Sequence, residues 1–566
     1  MQLNFLKDIF YIFGVAVAVA FLCHRLRIPT VVGLIIAGVI AGPYGLRLVH
    51  DTHAVEQLAE IGIIFLLFTI GIEFSVQSIR NAKRLFFLGG PLQVAGTAVL
   101  IGIFGRAIGL STPSAIMLGL LASLSSTAII LRLLQSRSEL TSPHGKGTMA
   151  VLIFQDIAFV PMMLLIPFLA GRGEGEPWVQ VAALAAKAVG IWLMIWLVAP
   201  RLVPRMLTGI ARTGSNELFL LTIGVLCFAV AFGTSLLGLS LALGAFLAGL
   251  ILSDSEHSHR ALENVLPFRD VFSSFFFVSI GMLLDSQYVV ENVGMLLGMT
   301  ALLIAIKFIV TTVVMQGIGL PYRVSTLTGI ALAQTGEFSL LVLAAALGGG
   351  IFDSDQYQVI LAVCLFSMVV APFLVGAQHR IADMLARVPM PTSVREGRYF
   401  IATEPDPELV DHIVIAGYGV IGAMVGHSAT LCNIPYDTIE VDYDIVNEQG
   451  RRGVPIFYGD ATQEASLLKA NLPKARVFVV AIPDPVGAAR TIAVARRLNP
   501  TVHIVARVRY VRDMTQLYQL GANVVVSEEV EASVKIFSEV LGHYGVPEEM
   551  IEEFGGVPVP KRPTPA

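Results

Sequence analysis

The stretch LIFQDIAFVP, residues 152–161, places the polar pair Gln155 and Asp156 inside an apolar run. This run extends from about residue 148 to about residue 170, which is long enough to cross the hydrocarbon core of a bilayer. An ionisable side chain is costly at that depth and marks a functional site with a partner from another span. The stretch therefore predicts a membrane protein with a charge-handling site at Asp156.

The composition agrees with a polytopic membrane domain followed by a soluble domain. Of the 566 residues, 55% are hydrophobic and 14% are charged, whereas a soluble domain carries about 25% charged residues. The charge is unevenly divided, because 45 of the first 400 residues are charged against 35 of the last 166. We therefore predict a membrane domain over 1–388, a linker over 389–410, a soluble domain over 411–530, and a C-terminal helix with a Pro-rich tail over 531–566.

The same composition excludes several classes of protein. It rules out a disordered chain, a collagen-like fibre and a soluble nucleic-acid-binding protein. A net charge of −4 offers no basic surplus for a polyanion such as nucleic acid. The four cysteines form no CxxC pair, so we expect buried thiols rather than a disulfide scaffold or a resident metal site.

Apolar runs predict about thirteen spans in an α-helical membrane domain. Lys and Arg residues concentrate in alternate loops, which predicts an outside N-terminus and a cytoplasmic C-terminal domain. The predicted spans are 9–24, 30–42, 57–79, 86–109, 114–134, 148–170, 178–200, 216–234, 237–253, 271–285, 293–319, 325–348 and 357–378.

Other ionisable residues within these spans are candidates for interaction with the ion site. Lys307, in ALLIAIKFIV, is the predicted partner of Asp156, because an ammonium group would favour the ionised carboxylate. Glu337 and Glu73 are further candidates, although Glu73 could instead pair with Arg80 at the inner interface. A carboxylate in a wet cavity binds a proton or a metal cation but not both, which is the minimal chemistry of cation/proton exchange.

Two polar stretches predict helices that are interrupted inside the membrane. They are LASLSSTAII, residues 121–130, and LAQTGEFSLL, residues 332–341. Irregular backbone at that depth exposes carbonyl groups and helix termini to ions, although serines alone could serve helix packing. One stretch precedes the Asp156 span and the other follows the Lys307 span, an order typical of inverted repeats. The candidate residues in these stretches are Ser125, Ser126, Thr127, Thr335 and Gly336.

The soluble domain begins with DHIVIAGYGVIG, residues 411–422, in which an apolar strand enters a GxGxxG turn. A second strand ends at Asp442, 20 residues beyond Gly422, where a carboxylate would accept a ribose hydroxyl. The βαβ rhythm predicts a Rossmann-like nucleotide-binding fold, and no catalytic domain follows, so we expect a sensor and not an enzyme. The predicted nucleotide contacts are Gly417, Tyr418, Gly419, Val420, Gly422, Asp442, Asp460 and Ala461.

These motifs resemble a known family over about residues 9–530. GIEF (71–74), the Gln155-Asp156 pair, SSTA (125–128) and TGEFS (335–339) are similar to signatures of the monovalent cation:proton antiporter-2 family. GYGVIG and YGDAT are similar to the RCK/TrkA-N domain. The combination resembles the Kef-type branch, which joins potassium/proton antiporters to a cytoplasmic nucleotide-binding domain.

The resemblance implies roles for residues and partners. Asp156 would carry the ion and the proton, Gln155 stands where other branches have Asp or Asn, and Lys307 would pair with the carboxylate. The two interrupted helices would cross in a sodium/proton antiporter-like fold. The protein would be a homodimer in the inner membrane that binds NAD(H) or an adenine nucleotide, AMP or ATP, in its RCK domain.

One departure and several alternatives bear on function. The segment SEHSHRALENVLPF, residues 255–268, has Asn264 where the glutathione-gated members have the aspartate of HALESD, so whether glutathione gates this protein is left open. Whether a soluble ancillary protein binds is left open. The expected activity is K+/H+ antiport. Na+/H+ antiport is an alternative, and an RCK-gated potassium channel is disfavoured because no TVGYG-like filter is found.

Overall fold

The fold is described here from a computed structural model of the chain. It describes residues 2–25, 28, 30–49, 52–73, 83–137, 139–140, 142–171, 206–210, 212–236, 241–253, 255–386, 409–544 and 546. The chain forms two compact units. The first comprises Met1–Ile130, Thr148–Val314 and Thr326–Ile381, and the second comprises Leu131–Gly147, Met315–Ser325 and Ala382–Ala566.

Helices account for the regular structure of the membrane part. Their sequences are rich in Leu, Ile, Val, Ala and Phe, and an α-helix satisfies every backbone polar group within the segment, as a lipid environment requires. The helices are α1 (Gln2–Arg25), α2 (Thr30–Ala41), α3 (Thr52–Glu73), α4 (Gly90–Ala107, after a π-helical turn over Leu85–Gly89), α5 (Thr112–Ser123), α6 (Thr127–Ser136), α7 (Pro143–Leu169), α8 (Asn216–Leu236), α9 (Leu241–Ser253), α10 (Ser258–Met282), α11 (Ser286–Glu291), α12 (Val293–Ile318), α13 (Tyr322–Ala331), α14 (Glu337–Gly349) and α15 (Ser354–Leu385).

Seven helical segments within the described residues are long and apolar enough to cross a membrane. Eleven of the thirteen predicted spans overlap these segments or the shorter apolar helices. The span 9–24 lies in α1, which is in neither group, and 178–200 lies outside the described residues. One predicted boundary is wrong, because the segment 255–268 is largely helical and α10 begins at Ser258, not near residue 271. The first turns of α10 are held by Asn264 Nδ2, which donates to the Arg260 carbonyl, and by Arg260, which lies over the Phe219 ring.

Both predicted helix interruptions are present. After α5 the chain becomes extended at Leu124, with ψ of 142°, and helical structure resumes at Thr127 in α6. After α13 the chain runs through residues 332–336 before α14 begins at Glu337, with the extended Gly336 at its N-cap. The membrane unit therefore contains two pairs of half-helices.

The C-terminal domain is a parallel α/β sheet, as the GxGxxG pattern predicts. The six strands follow the order β3-β2-β1-β4-β5-β6, and all neighbouring strands pair in parallel. The strands are β1 (Ile413–Ala416), β2 (Tyr436–Glu440), β3 (Ile456–Tyr458), β4 (Val477–Val480), β5 (His503–Val508) and β6 (Val524–Ser527). The helices are α16 (Val420–Leu431), α17 (Tyr443–Arg451), α18 (Glu464–Lys469), α19 (Pro485–Leu498), α20 (Met514–Gln519) and α21 (Glu528–His543).

The order of the strands determines where a ligand binds. The chain leaves β1 toward β2 on one side and later returns to β4 on the other, so a crevice opens beyond the carboxyl ends of β1 and β4. Buried side chains such as Val414, Phe478 and Ile504 form the core of the sheet. Of the predicted linker 389–410, the structure describes residues 409 and 410. In the predicted C-terminal segment 531–566, it describes the part that belongs to α21 and a few residues after it.

Candidate ion-binding and nucleotide-binding sites

The two interrupted segments cross in direct backbone contact. A Cβ atom added to Gly336 would lie 2.6 Å from the carbonyl carbon of Ser125 and 2.7 Å from the amide nitrogen of Ser126. Only glycine leaves room for this approach. The Ser125 hydroxyl also donates to the Leu332 carbonyl (3.0 Å), and the Ser126 amide donates to Gln334 Oε1 (3.2 Å). The two interrupted helices therefore cross, as the sequence resemblance implies.

Gln155 holds the first interrupted segment. Its Oε1 accepts from the Ser125 amide (2.8 Å), and its Nε2 donates to the Ser123 carbonyl (3.0 Å). Residues at the break have lost their helical hydrogen-bond partners, and the Gln155 amide replaces two of them. Gln155 is therefore a positioning residue for the backbone beside Asp156.

Asp156 lies next to the start of the second half-helix. The Thr127 hydroxyl donates to both oxygens of its carboxylate, at 3.1 and 3.3 Å, and Asp156 is only 7% exposed. Thr127 is the first residue of α6, where unsatisfied amides favour negative charge. A buried carboxylate beside a hydroxyl and an opened backbone offers the hard oxygen atoms that monovalent cations bind.

Lys307 does not form the predicted ion pair with Asp156. Its Nζ donates to the carbonyl oxygens of Ser123 (3.2 Å) and Leu124 (2.8 Å) and to the Ser125 hydroxyl (3.1 Å). These three acceptors match the three N–H bonds of an ammonium group. The physical reason is that α5 ends at Ser123, so its last carbonyl groups lack helical partners and a cation satisfies them.

Glu337 and Thr335 fix the second interrupted segment. Glu337 begins α14, and its carboxylate lies against the Ser126 hydroxyl and the Ala128 amide of the first segment. The Thr335 amide donates to the Ser367 hydroxyl (3.1 Å), and its own hydroxyl donates to the Cys364 carbonyl (3.2 Å). Of the remaining candidate, Glu73, only the backbone at the end of α3 is described.

Two buried residues that support the crossing were missed by the sequence analysis. Gln93 of α4 is fully buried, and its Oε1 accepts from Gln155 Nε2 (2.8 Å). Ser367 of α15 is also fully buried and meets Thr335 as described above. A glutamine within the predicted span 86–109 was the available signal for Gln93, whereas nothing local distinguishes Ser367 from a helix-packing serine.

The glycine turn of the C-terminal domain has the geometry of a phosphate-binding loop. Gly417 has a φ of +95°, which favours glycine, and its amide donates to the Ile439 carbonyl (2.8 Å). A Cβ on Gly422 would lie 1.9 Å from the Gly417 carbonyl oxygen, so α16 can approach β1 only with glycine there. Gly419 caps α16 and Val420 is its exposed first residue, which leaves the helix N-terminus open to an anion.

The acidic residue at the end of β2 is Glu440, which the sequence analysis missed. Its carboxylate accepts from the amides of Tyr418 (2.6 Å), Val441 (2.7 Å) and Asp442 (2.8 Å). Burial raises the pKa of the Glu440 carboxyl group, and these amides oppose that rise. The position at the strand end is where a ribose-binding carboxylate belongs in this fold, so Glu440 joins the candidates.

The predicted residue Asp442 lies two positions beyond the strand. Its Oδ1 accepts from the Ile445 amide (3.4 Å) at the start of α17, and its Oδ2 lies 2.7 Å from Lys146 Nζ. Asp460 follows β3, where its Oδ1 accepts from the amide (2.9 Å) and hydroxyl (2.7 Å) of Thr462, and Ala461 is buried beside it. These acidic residues therefore lie after neighbouring strands.

Arg507 brings positive charge to the same edge of the sheet. Its Nε donates to the Ala481 carbonyl (3.3 Å), which follows β4, and its guanidinium pairs with Glu528. Burial is the main cause that lowers the pKa of Arg507, and the nearby Arg509 acts in the same direction. The positive charge of the Arg507 guanidinium would complement a phosphate bound at the glycine turn.

The crossed half-helices and the Rossmann-like sheet together define a secondary transporter joined to a nucleotide-binding domain. The sodium/hydrogen exchanger transmembrane family matches residues 12–377, and the TrkA-N domain matches residues 413–528. The first match covers more than half of the chain, so the protein belongs to the sodium/hydrogen exchanger family and carries a C-terminal TrkA-N domain.

Similar proteins match the chain over most of its length or over its C-terminal part alone. The chain is 33% identical to a putative K(+) efflux antiporter KefB of Alkalimonas amylolytica, over 97% of this chain and 83% of that protein. It is 32% identical to the putative cation/proton antiporter YbaL of Escherichia coli, over 90% of this chain and 92% of that protein. A solved structure of the Shewanella denitrificans Kef C-terminal domain in AMP-bound form is 26% identical, covers 25% of this chain and 87% of that chain, and has a TM-score of 0.22.

Proposed function

We propose that the protein exchanges K+ for protons across a membrane and that a nucleotide on the C-terminal domain regulates this exchange. The observation that carries the proposal is the Asp156 carboxylate, which is buried beside Thr127 at the crossing of two interrupted helices. Membership of the exchanger family and 33% sequence identity to a putative K(+) efflux antiporter support K+ as the transported cation.

The mechanism is competition for one carboxylate. When Asp156 is protonated, the site is neutral and holds no cation. When the proton leaves, the carboxylate oxygens and the Thr127 hydroxyl oxygen bind a cation. Because the two occupants exclude each other, alternation of the site between the two sides of the membrane couples cation movement in one direction to proton movement in the other.

The rest of the crossing keeps this site in shape. Gln155 and Lys307 satisfy backbone groups that the break in the first helix exposes. Glu337 occupies the start of α14 beside the first interrupted segment. These residues hold the oxygen atoms in place before the ion arrives, so binding does not have to organise them.

Na+/H+ exchange is a second candidate, favoured by the description of the matching family as a sodium/hydrogen exchanger. We place the protein in the inner membrane as a homodimer, with the N-terminus outside and the C-terminal domain in the cytoplasm. The alternation of basic loops supports this orientation. The nucleotide is NAD(H), AMP or ATP. These molecules share the adenosine and phosphate groups that Glu440 and the glycine turn would bind. We assign the bound nucleotide a regulatory role and not a catalytic one.

The test is exchange driven by a pH gradient in proteoliposomes, with K+, Na+ or Rb+ supplied in turn. We expect Asp156→Asn to abolish cation-dependent proton movement while leaving folding and AMP binding intact, because asparagine neither ionises nor releases a proton. Asp270→Asn is the matched control, since Asp270 is exposed and pairs with Arg269 away from the crossing. Proton-coupled K+ flux that persists in Asp156→Asn would refute the mechanism, and faster exchange with Na+ than with K+ would favour the second candidate.

A further inference from the structure

An ion pair connects the edge of the nucleotide site to the helix that carries Asp156. Lys146 Nζ lies 2.7 Å from Asp442 Oδ2, and both residues belong to the second compact unit. Lys146 is in the first turn of α7, and Gln155 and Asp156 follow on the same helix. Ten residues of helix separate Lys146 from Asp156, which is about 15 Å along the axis.

The segment that presents Lys146 is tightly built. His144 Nε2 lies 3.1 Å from Glu139 Oε2, and the Ser142 hydroxyl is 2.9 Å from His144 Nδ1. All three side chains are buried, and the Gly145 amide donates to the Ser142 hydroxyl (3.1 Å). These contacts fix the first turn of α7, so a displacement of Lys146 displaces the start of this helix.

The other partner, Asp442, is linked to the position where ribose would bind. Its amide donates to Glu440 Oε1 at 2.8 Å, and that same oxygen also accepts from Val441 (2.7 Å). The second oxygen of Glu440 accepts from Tyr418 of the glycine turn. These three amides leave about one acceptor position of the carboxylate open to a ribose hydroxyl. A ribose bound there joins the hydrogen bonds that position Asp442, the residue that holds Lys146.

A second ion-pair cluster in the same unit ties the C-terminal domain to the other interrupted helix. Asp383 of α15 pairs with Arg490 of α19 and lies 3.5 Å from Arg323 Nε. Arg323 is in the first turn of α13, which leads into the segment containing Gly336. Charged contacts of the C-terminal domain therefore lead to α7, which carries Asp156, and to α13, which precedes Gly336.

We propose that the Lys146–Asp442 pair restrains α7 in the nucleotide-free protein and that an adenosine-containing nucleotide releases it. This inference rests on the proposed antiport function. The pair is partly exposed, with Lys146 at 46% and Asp442 at 26%, so its influence is modest, and we expect release to raise the exchange rate about two- to five-fold.

The test compares exchange rates of the full chain in proteoliposomes with and without saturating AMP. Wild type is expected to exchange about two- to five-fold faster with AMP. Without AMP, Lys146→Ala is expected to exchange at the rate that wild type reaches with AMP, and adding AMP should not raise this rate further. Its AMP affinity, measured by calorimetry, should stay within about three-fold of wild type. Lys146→Arg keeps the ion pair and should keep the response. Lys474→Ala is the matched control, because it removes one exposed lysine elsewhere in the same unit.

The outcomes separate this inference from the proposed function. Absence of K+/H+ exchange in the wild type would defeat the proposed function itself. Exchange that AMP and NAD+ leave unchanged would defeat the regulatory half of the proposed function together with this inference. A Lys146→Ala variant with the full wild-type response to AMP would overturn the inference alone, while nucleotide-regulated antiport stands. If Lys146→Ala does not fold, Lys146→Gln serves for the same comparison.

Discussion

At the scale of single residues, Lys307 is the side chain with the clearest energetic consequence. Its Nζ satisfies two carbonyl groups and one hydroxyl in a site with no solvent exposure. We expect Lys307→Ala to cost about 2–4 kcal/mol of stability, because it leaves a cavity and unsatisfied acceptors. A fall in the thermal unfolding midpoint of the purified protein would measure this loss.

Thr311→Val is the matched control for Lys307→Ala. Thr311 lies one turn further along α12, is fully buried, and its hydroxyl has no hydrogen-bond partner. Removing that hydroxyl should leave stability unchanged or raise it slightly. A Lys307→Ala variant as stable as Thr311→Val would contradict the capping role.

Lys307 and Glu440 also show where prediction from sequence reaches its limit at this scale. The polar types and their depth identified Asp156 and Lys307, because charge is rare in apolar spans. Their pairing was wrong, because a break in a helix creates uncharged acceptors that the sequence does not display. Asp442 was chosen over Glu440 because the last residue of a strand is set by hydrogen bonding within the sheet, not by spacing alone.

At the scale of elements, the crossing depends on close backbone contact at Gly336. Its backbone is extended, with φ of −119° and ψ of 178°, so alanine is allowed conformationally and the obstacle is steric. The added Cβ would meet only backbone atoms of Ser125 and Ser126, which cannot rotate away. We expect Gly336→Ala to separate the two segments and reduce K+/H+ exchange at least about ten-fold, measured in proteoliposomes.

The control for Gly336→Ala lies in the same helix. A Cβ on Gly348 of α14 would meet nothing within 4 Å, so Gly348→Ala should leave exchange unchanged and stabilise the helix slightly. Exchange at the wild-type rate in Gly336→Ala would show that the crossing tolerates separation and would remove it from the mechanism.

The half-helices were predictable as elements, whereas α10 was not. Clustered hydroxyl residues beside glycine interrupt an apolar run, and both interruptions fall where this pattern occurs. The polar segment 255–268 falls between the predicted spans 237–253 and 271–285. It forms helix instead, since SHRALENVL contains good helix formers and Pro267 lies well inside α10 without ending it.

At the scale of the whole molecule, the uneven distribution of charge predicted a membrane part and a soluble α/β part, and the fold class is confirmed. The sequence assigned every loop before residue 388 to the membrane domain. The structure instead groups Leu131–Gly147 and Met315–Ser325 with the C-terminal domain. Contacts such as Lys146–Asp442 join residues about 300 positions apart, and neither composition nor periodicity contains that information.

Coupling between the two sites must act in both directions. If AMP changes the affinity of the Asp156 site for K+ by some factor, K+ must change the affinity for AMP by the same factor. We expect release of the Lys146–Asp442 pair to change the affinity for K+ by about two- to five-fold. The AMP dissociation constant of the detergent-solubilised full chain should then differ by the same factor between KCl and N-methylglucamine chloride. Equal ionic strength is essential, because salt screens the partly exposed Lys146–Asp442 pair.

Two variants determine whether that difference in AMP affinity arises at the crossing. Asp156→Asn should bind AMP equally well in both salts, because K+ no longer has its carboxylate. Lys146→Ala should also lose the difference, because the ion pair that joins α7 to Asp442 is gone. A K+ effect on AMP affinity that survives in Asp156→Asn would place the responsible cation outside the crossing, so α7 would not be the element that links nucleotide to transport.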